Sequence, residues 1–131
     1  MLKSFFFRIV FISWMVFVTF SSLFSFKGID TGGFFDFPNT DKVVHFVFYF
    51  VMVITGTYAV MEYSGTKIKI KNVCLGVLVF SILYGIIIEV LQYSITENRQ
   101  GDVFDVLANS LGAIVGLLLT RLLFYRVWPL K

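Results

Sequence analysis

Charged residues divide the chain into four long uncharged or nearly uncharged runs, which lie at residues 9–26, 43–61, 72–88 and 106–120. An α-helix rises about 1.5 Å per residue, so about 20 residues cross a hydrocarbon core of roughly 30 Å. The runs therefore predict an all-α fold, a four-helix transmembrane bundle. The predicted spans cover residues 5–26, 42–62, 72–93 and 103–124.

Composition agrees with a membrane protein. The 131 residues are 58% hydrophobic and only 15% charged, with a mean hydropathy of +0.87, whereas soluble domains carry about 45–50% apolar and about 25% charged residues. A soluble domain of this size could not bury 17 phenylalanines beside these apolar runs. We expect one membrane domain over residues 1–131. Its first span is too long for a cleaved signal peptide and lacks a small-residue cleavage site.

The basic residues predict an orientation. Eight of the 11 Lys and Arg residues flank the same side of the four spans. They are Lys3, Arg8, Lys67, Lys69, Lys71, Arg121, Arg126 and Lys131. By the positive-inside rule both termini are cytoplasmic, and the loops near residues 27–41 and 94–101 face outward. The net charge of +3 forms no basic face, so no nucleic-acid partner is expected.

Polar residues recur every three or four positions in the last three predicted helices, a spacing that places them on one face of each. They are Lys42, His45 and Tyr49, then Glu89 and Gln92, then Asp102, Asp105 and Asn109. All lie toward the predicted outer ends. Ionisable groups within a span cost at least ~2.5 kcal/mol each, so they normally face the bundle interior and pair. We therefore expect one polar cluster, with Lys42 and Arg99 supplying positive charge.

Glycines continue these faces toward the predicted inner side. Gly112 and Gly116 form a Gly-x-x-x-Gly motif, and Gly85 lies one turn from Glu89. Small residues let membrane helices approach closely. The three glycines are therefore predicted helix-packing positions.

Structural roles are the alternative for several of these residues. Asp41 and Asp102 could cap helices or complement helix dipoles, a role that explains Asp105 less well because Asn109 continues its face one turn deeper. A single histidine such as His45 could be a structural hydrogen-bonding group. Tyr49 and Gln92 could only bridge helices.

Three motifs occur in order on separate predicted helices. They are Asp41-Lys42-x-x-His45-x-x-x-Tyr49, Glu89-x-x-Gln92 and Arg99-x-x-Asp102-x-x-Asp105-x-x-x-Asn109-x-x-Gly112. Together they resemble the VanZ-like family of small bacterial membrane proteins over about residues 40–120. The resemblance implies a multi-pass protein of the bacterial cytoplasmic membrane. The founding member is associated with resistance to the lipoglycopeptide teicoplanin, but the resemblance implies no agreed reaction, and resistance does not transfer safely to this chain.

Three functions fit these residues. The first is an extracytoplasmic pocket that binds the polar head of a cell-envelope amphiphile, either a lipid-linked cell-wall intermediate or a lipoglycopeptide, beside the membrane lipids themselves. The second is a membrane hydrolase or transferase with His45 as general acid or base, Glu89 or Asp105 orienting it, and Arg99 stabilising negative charge. The third is a non-catalytic accessory subunit.

Cofactor chemistry has weak support in the sequence. The set His45, Glu89, Asp102 and Asp105 could bind a divalent cation, but no metal-ligand motif such as His-Glu-x-x-His accompanies it. The sequence therefore predicts no metal and no organic cofactor. It leaves the oligomeric state open.

The orientation generates the first prediction. Single cysteines at Gly32 or Asn98, in a background lacking Cys74, are expected to react with a membrane-impermeant thiol reagent in intact cells. A cysteine at Gly65 is expected to stay unlabelled until the cells are opened. Labelling at position 65 in intact cells would reverse the orientation.

Overall fold

Four α-helices make up the fold. The computed structural model describes residues 5–24, 40–65, 67–95 and 103–127, and no β-strand lies among them. The helices are α1 Phe6–Leu23, α2 Thr40–Ser64, α3 Ile70–Ile95 and α4 Val103–Val127. Each contains a segment long and apolar enough to cross a membrane. The predicted all-α four-helix transmembrane fold is confirmed, and the chain is a multi-pass membrane protein.

The helices surround a central pair. α2 and α3 contact each other, and each also contacts both α1 and α4, whereas α1 and α4 do not touch within the described ranges. Large apolar side chains point outward from all four helices, among them Phe17, Val47, Ile87 and Leu118. Lipid is the solvent that such a surface requires. A site between α2 and α3 can therefore include residues of α4 or of α1, which lie on opposite sides of this pair.

The closest helix contact joins α2 and α4. A Cβ atom added to Gly112 would collide with the carbonyl group of Phe46, and one added to Gly116 would lie 2.6 Å from the carbonyl oxygen of Phe50. Both obstacles are backbone atoms, which cannot rotate away as side chains do. The Gly-x-x-x-Gly motif thus lets the two backbones meet directly.

Helix α1 is attached by polar contacts as well as by apolar packing around Val18. The indole Nε1 of Trp14 donates a hydrogen bond of 2.9 Å to the carbonyl oxygen of Phe48 on α2. The hydroxyls of Thr19 and Tyr84 are hydrogen-bonded to each other, which ties α1 to α3. Because water is absent from the hydrocarbon core, these groups must be satisfied by protein partners.

At its first turn, α1 also meets the end of α2. The carboxylate of Glu62 accepts hydrogen bonds from the backbone amides of Phe7 and Arg8, at 3.4 and 3.1 Å. The Arg8 Nε atom lies 3.6 Å from the same carboxylate. The opening amides of a helix have no partner within the helix itself, so Glu62 provides one from another helix.

The close α2–α4 contact generates the second prediction. Replacing Gly112 with Ala is expected to destabilise the protein, lowering its free energy of unfolding by about 1–3 kcal/mol, because the added methyl group separates the two backbones. The same change at Gly76 is the matched control, since nothing lies within 4 Å of a Cβ atom there. Thermal stability in detergent provides the measurement. Equal stability of the two variants would show that α4 does not approach α2 this closely.

Candidate functional site

His45 is the centre of a buried polar cluster at one end of the bundle. It lies near the start of α2 and is only 7% exposed. Its Nδ1 atom is 2.9 Å from the amide oxygen Oδ1 of Asn109 on α4. With the amide in this orientation its oxygen accepts, and the matching neutral tautomer of His45 has the proton on Nδ1 and the lone pair on Nε2.

Two carboxylates flank this imidazole from the other two helices. Glu89 Oε1 on α3 lies 3.8 Å from His45 Nδ1, and Asp105 Oδ2 on α4 lies 3.8 Å from His45 Nε2. Both separations exceed the usual limit of about 3.2 Å for a hydrogen bond. The carboxylates therefore form ion pairs with His45 only when the imidazole is protonated.

Lys42 connects the cluster to the bundle surface. Its Nζ atom lies 3.7 Å from Asp105 Oδ1 and 3.2 Å from Asp41 Oδ2. The Asp41 side chain is 57% exposed and lies in the first turn of α2. Burial thus increases from Asp41 through Lys42 and Asp105 to Glu89 and His45. The cluster has an accessible rim and a buried interior.

Tyr49 lies one turn deeper than His45 on the same face of α2. The residue is 1% exposed, and its hydroxyl has no hydrogen-bond partner among the described residues. A Cβ atom at Gly85 would lie 3.1 Å from the Tyr49 ring and 3.2 Å from Asn109 Nδ2, so Gly85 makes room for both side chains.

The remaining predicted site residues fall elsewhere. Gln92 is buried on α3, and its amide donates a 2.6 Å hydrogen bond to the carbonyl oxygen of Ser22 on α1. Gln92 thus bridges α3 and α1, which is the structural role given above as the alternative to a site role. Arg99 and Asp102 lie outside the described residues.

One polar pair, Thr19 and Tyr84, was missed by the sequence analysis. Tyr84 on α3 is hydrogen-bonded to Thr19 on α1. Thr19 is one of four hydroxyl residues in α1, beside Ser13, Ser21 and Ser22, and Tyr84 lies outside the Gly85, Glu89 and Gln92 face. The sequence feature that could have pointed to this pair was the presence of hydroxyl groups within apolar spans.

The chemistry available here is that of a base and two acids held near each other. One ligand atom from each of His45, Glu89 and Asp105 lies within 4.8 Å of the other two. Such a group can bind a cation, accept a donor-rich polar head, or exchange protons. The helices that carry it, α2, α3 and α4, all contact one another.

Comparison with known proteins supplies a family. The model of the VanZ/LLP1 family matches residues 4–124, nearly the whole chain. A search of curated proteins found no significant match, and a search of solved structures also found none. The family match extends beyond the three polar motifs to include α1. The chain therefore belongs to the VanZ-like family.

Proposed function

We propose that this protein binds the polar head of a cell-envelope amphiphile at the His45 cluster. One observation carries the proposal. His45, Glu89 and Asp105 converge from three helices at one end of a bundle whose helices expose many large apolar side chains. Charged groups are costly within a membrane and usually mark a functional site there.

The burial gradient of the cluster supports binding at its rim. Lys42 and Asp41 are the more exposed members, whereas His45 and Glu89 are nearly enclosed. A head group entering from the membrane surface would meet Lys42 first and the carboxylates next. Phosphate suits Lys42, and amine or hydroxyl donors suit the carboxylates. An apolar tail would remain in lipid beside the exposed faces of α2 and α4.

In the proposed orientation the cluster faces outward from the cytoplasmic membrane. Lipid-linked cell-wall intermediates and lipoglycopeptides both present polar heads at that surface, and both carry an apolar tail. They are therefore the amphiphiles that we propose as ligands. A lipoglycopeptide ligand would connect the protein to antibiotic resistance.

A hydrolase or transferase is the second candidate, favoured by the tautomer of His45. Its hydrogen bond to Asn109 leaves Nε2 as a potential proton acceptor on the side of Asp105. A general base needs an oriented imidazole of this kind. Release of a cleaved product from a bound amphiphile would distinguish catalysis from binding alone.

The binding proposal generates the third prediction. The double variant His45→Ala, Asp105→Asn is expected to bind a polyprenyl phosphate or teicoplanin at least about tenfold more weakly than the parent, because the cluster loses its central and rim groups. Binding is measured with purified protein in lipid nanodiscs. Glu62→Gln is the matched control, since Glu62 lies at the opposite end of α2 and its replacement is expected to preserve binding.

Abundance in the membrane is measured for the same variants. Glu89→Gln and Asp105→Asn are expected to insert at least as well as the parent, because each removes a charge that is costly in lipid. Ligand binding that declines only in proportion to folded protein would instead support a purely structural cluster.

A further inference from the structure

We propose that His45, Glu89 and Asp105 bind one divalent transition-metal ion, with Zn²⁺ as the preferred ion. The sequence alone predicted a polar cluster but no metal, because these residues are distant along the chain and form no known ligand motif. The folded bundle adds that one ligand atom from each of the three lies within 4.8 Å of the other two. The proposal does not depend on the amphiphile, since it requires only the three side chains.

The geometry of the three groups fits a shared ion. Two ligands that are each about 2.1 Å from a tetrahedral zinc ion lie about 3.4 Å from each other. Asp105 Oδ2 lies 3.8 Å from Nε2, the nitrogen that would bind the ion, whereas Glu89 Oε1 lies 3.8 Å from Nδ1 of the same ring. One ligand atom from each of the three residues lies within 4.8 Å of the other two, which is wider than a loaded site. Rotation of the Glu89 and Asp105 side chains toward Nε2 would bring the three ligand atoms to the spacing of a metal site.

The contact between His45 and Asn109 is the second and independent observation. Histidine ligands in metal sites usually donate their other ring N–H to a fixed acceptor, which orients the ring. Asn109 Oδ1 is such an acceptor, at 2.9 Å from Nδ1, and Asn109 is itself 2% exposed. The lone pair of Nε2 then faces the side of Asp105, whose Oδ2 lies 3.8 Å away, and it is available to a metal ion.

A third observation comes from the deep side of the cluster. Tyr49 is fully buried, its ring packs against Gly85 one turn from Glu89, and its hydroxyl has no hydrogen-bond partner in the described part of the chain. Buried polar groups normally have partners. A metal-bound water or a ligated carboxylate oxygen near Glu89 would provide one. Proteins build metal sites in this way, from side chains on facing helices of a bundle.

Ligand chemistry selects the class of ion. Two carboxylate oxygens would suit Mg²⁺ or Ca²⁺, but an imidazole nitrogen favours zinc and other transition metals. Two carboxylates and a neutral imidazole together carry two negative charges, which a divalent cation neutralises. Three protein ligands also leave a coordination position open, as in catalytic zinc sites. An oxygen of a phosphate or carboxylate head group could occupy that position.

Metal binding by the purified full chain is the fourth prediction. The protein is freed of metal with a chelator and titrated with Zn²⁺, Co²⁺ or Mg²⁺ alone, without any amphiphile. We expect one Zn²⁺ per chain and visible d–d absorption bands with Co²⁺. Mg²⁺ is expected to bind at least about 100-fold more weakly than Zn²⁺.

Variants identify the ligands. Glu89→Gln and Asp105→Asn are each expected to weaken Zn²⁺ binding at least about 100-fold, and Asn109→Leu about 10–100-fold through loss of the oriented imidazole. Glu62→Gln is the matched control: its side chain is 10% exposed, against 7% for Glu89, but it lies at the other end of the bundle. It should bind Zn²⁺ as the parent does. Monodisperse elution and helix content verify the fold of each variant.

Two results would overturn the proposal. One is a parent protein that binds no Zn²⁺, or binds it equally well after the Glu89→Gln and Asp105→Asn changes. The other is equal affinity for Mg²⁺ and Zn²⁺, because the imidazole would then not be a ligand. Amphiphile binding measured separately with and without chelator distinguishes this outcome from failure of the proposed function.

Discussion

The contact between the backbones of α2 and α4 is the constraint on which the polar cluster depends. Gly112 meets the carbonyl of Phe46, the residue that follows His45. Asn109 precedes Gly112 by nearly one helical turn, so the same contact brings its amide to the imidazole. A side chain at position 112 would move α4 outward and separate Asn109 and Asp105 from His45 together. The glycine motif therefore sets the geometry of the charged groups as well as the packing of the bundle.

Burying these charges has a thermodynamic cost that the bundle must offset. Charged side chains removed from water are stabilised only when partners of opposite charge or hydrogen-bond donors lie within reach. Lys42 provides positive charge at the rim, while the interior holds Glu89 with the Tyr49 hydroxyl beside it. Apolar residues of the same volume would pack in that position without such a cost. A polar interior is therefore better explained by a ligand or an ion than by stability alone.

Much of this structure could be predicted from the sequence. The lengths of the apolar runs predicted the four helices, because the thickness of a bilayer fixes how many residues cross it. The spacing of His45, Glu89 and Asp105 predicted that each faces the interior near the same end. Spacing does not reveal which helices are neighbours, however, so the positions of Gln92 and Asn109 could not be distinguished. Gln92 binds α1, whereas Asn109 holds the imidazole. The hydrogen-bond partner of each side chain depends on which helices are neighbours in the bundle.

Glu62 also has a consequence for how the protein is made. The first amides of α1 have no side-chain cap from Phe5, the residue that precedes the helix, and two of them bind a carboxylate more than 50 residues later in the chain. During synthesis the first turn of α1 is made before Glu62 is translated. Water or lipid head groups must therefore bind these amides until α2 is present. The contact between the first turn of α1 and the end of α2 can form only after the whole of α2 has been made.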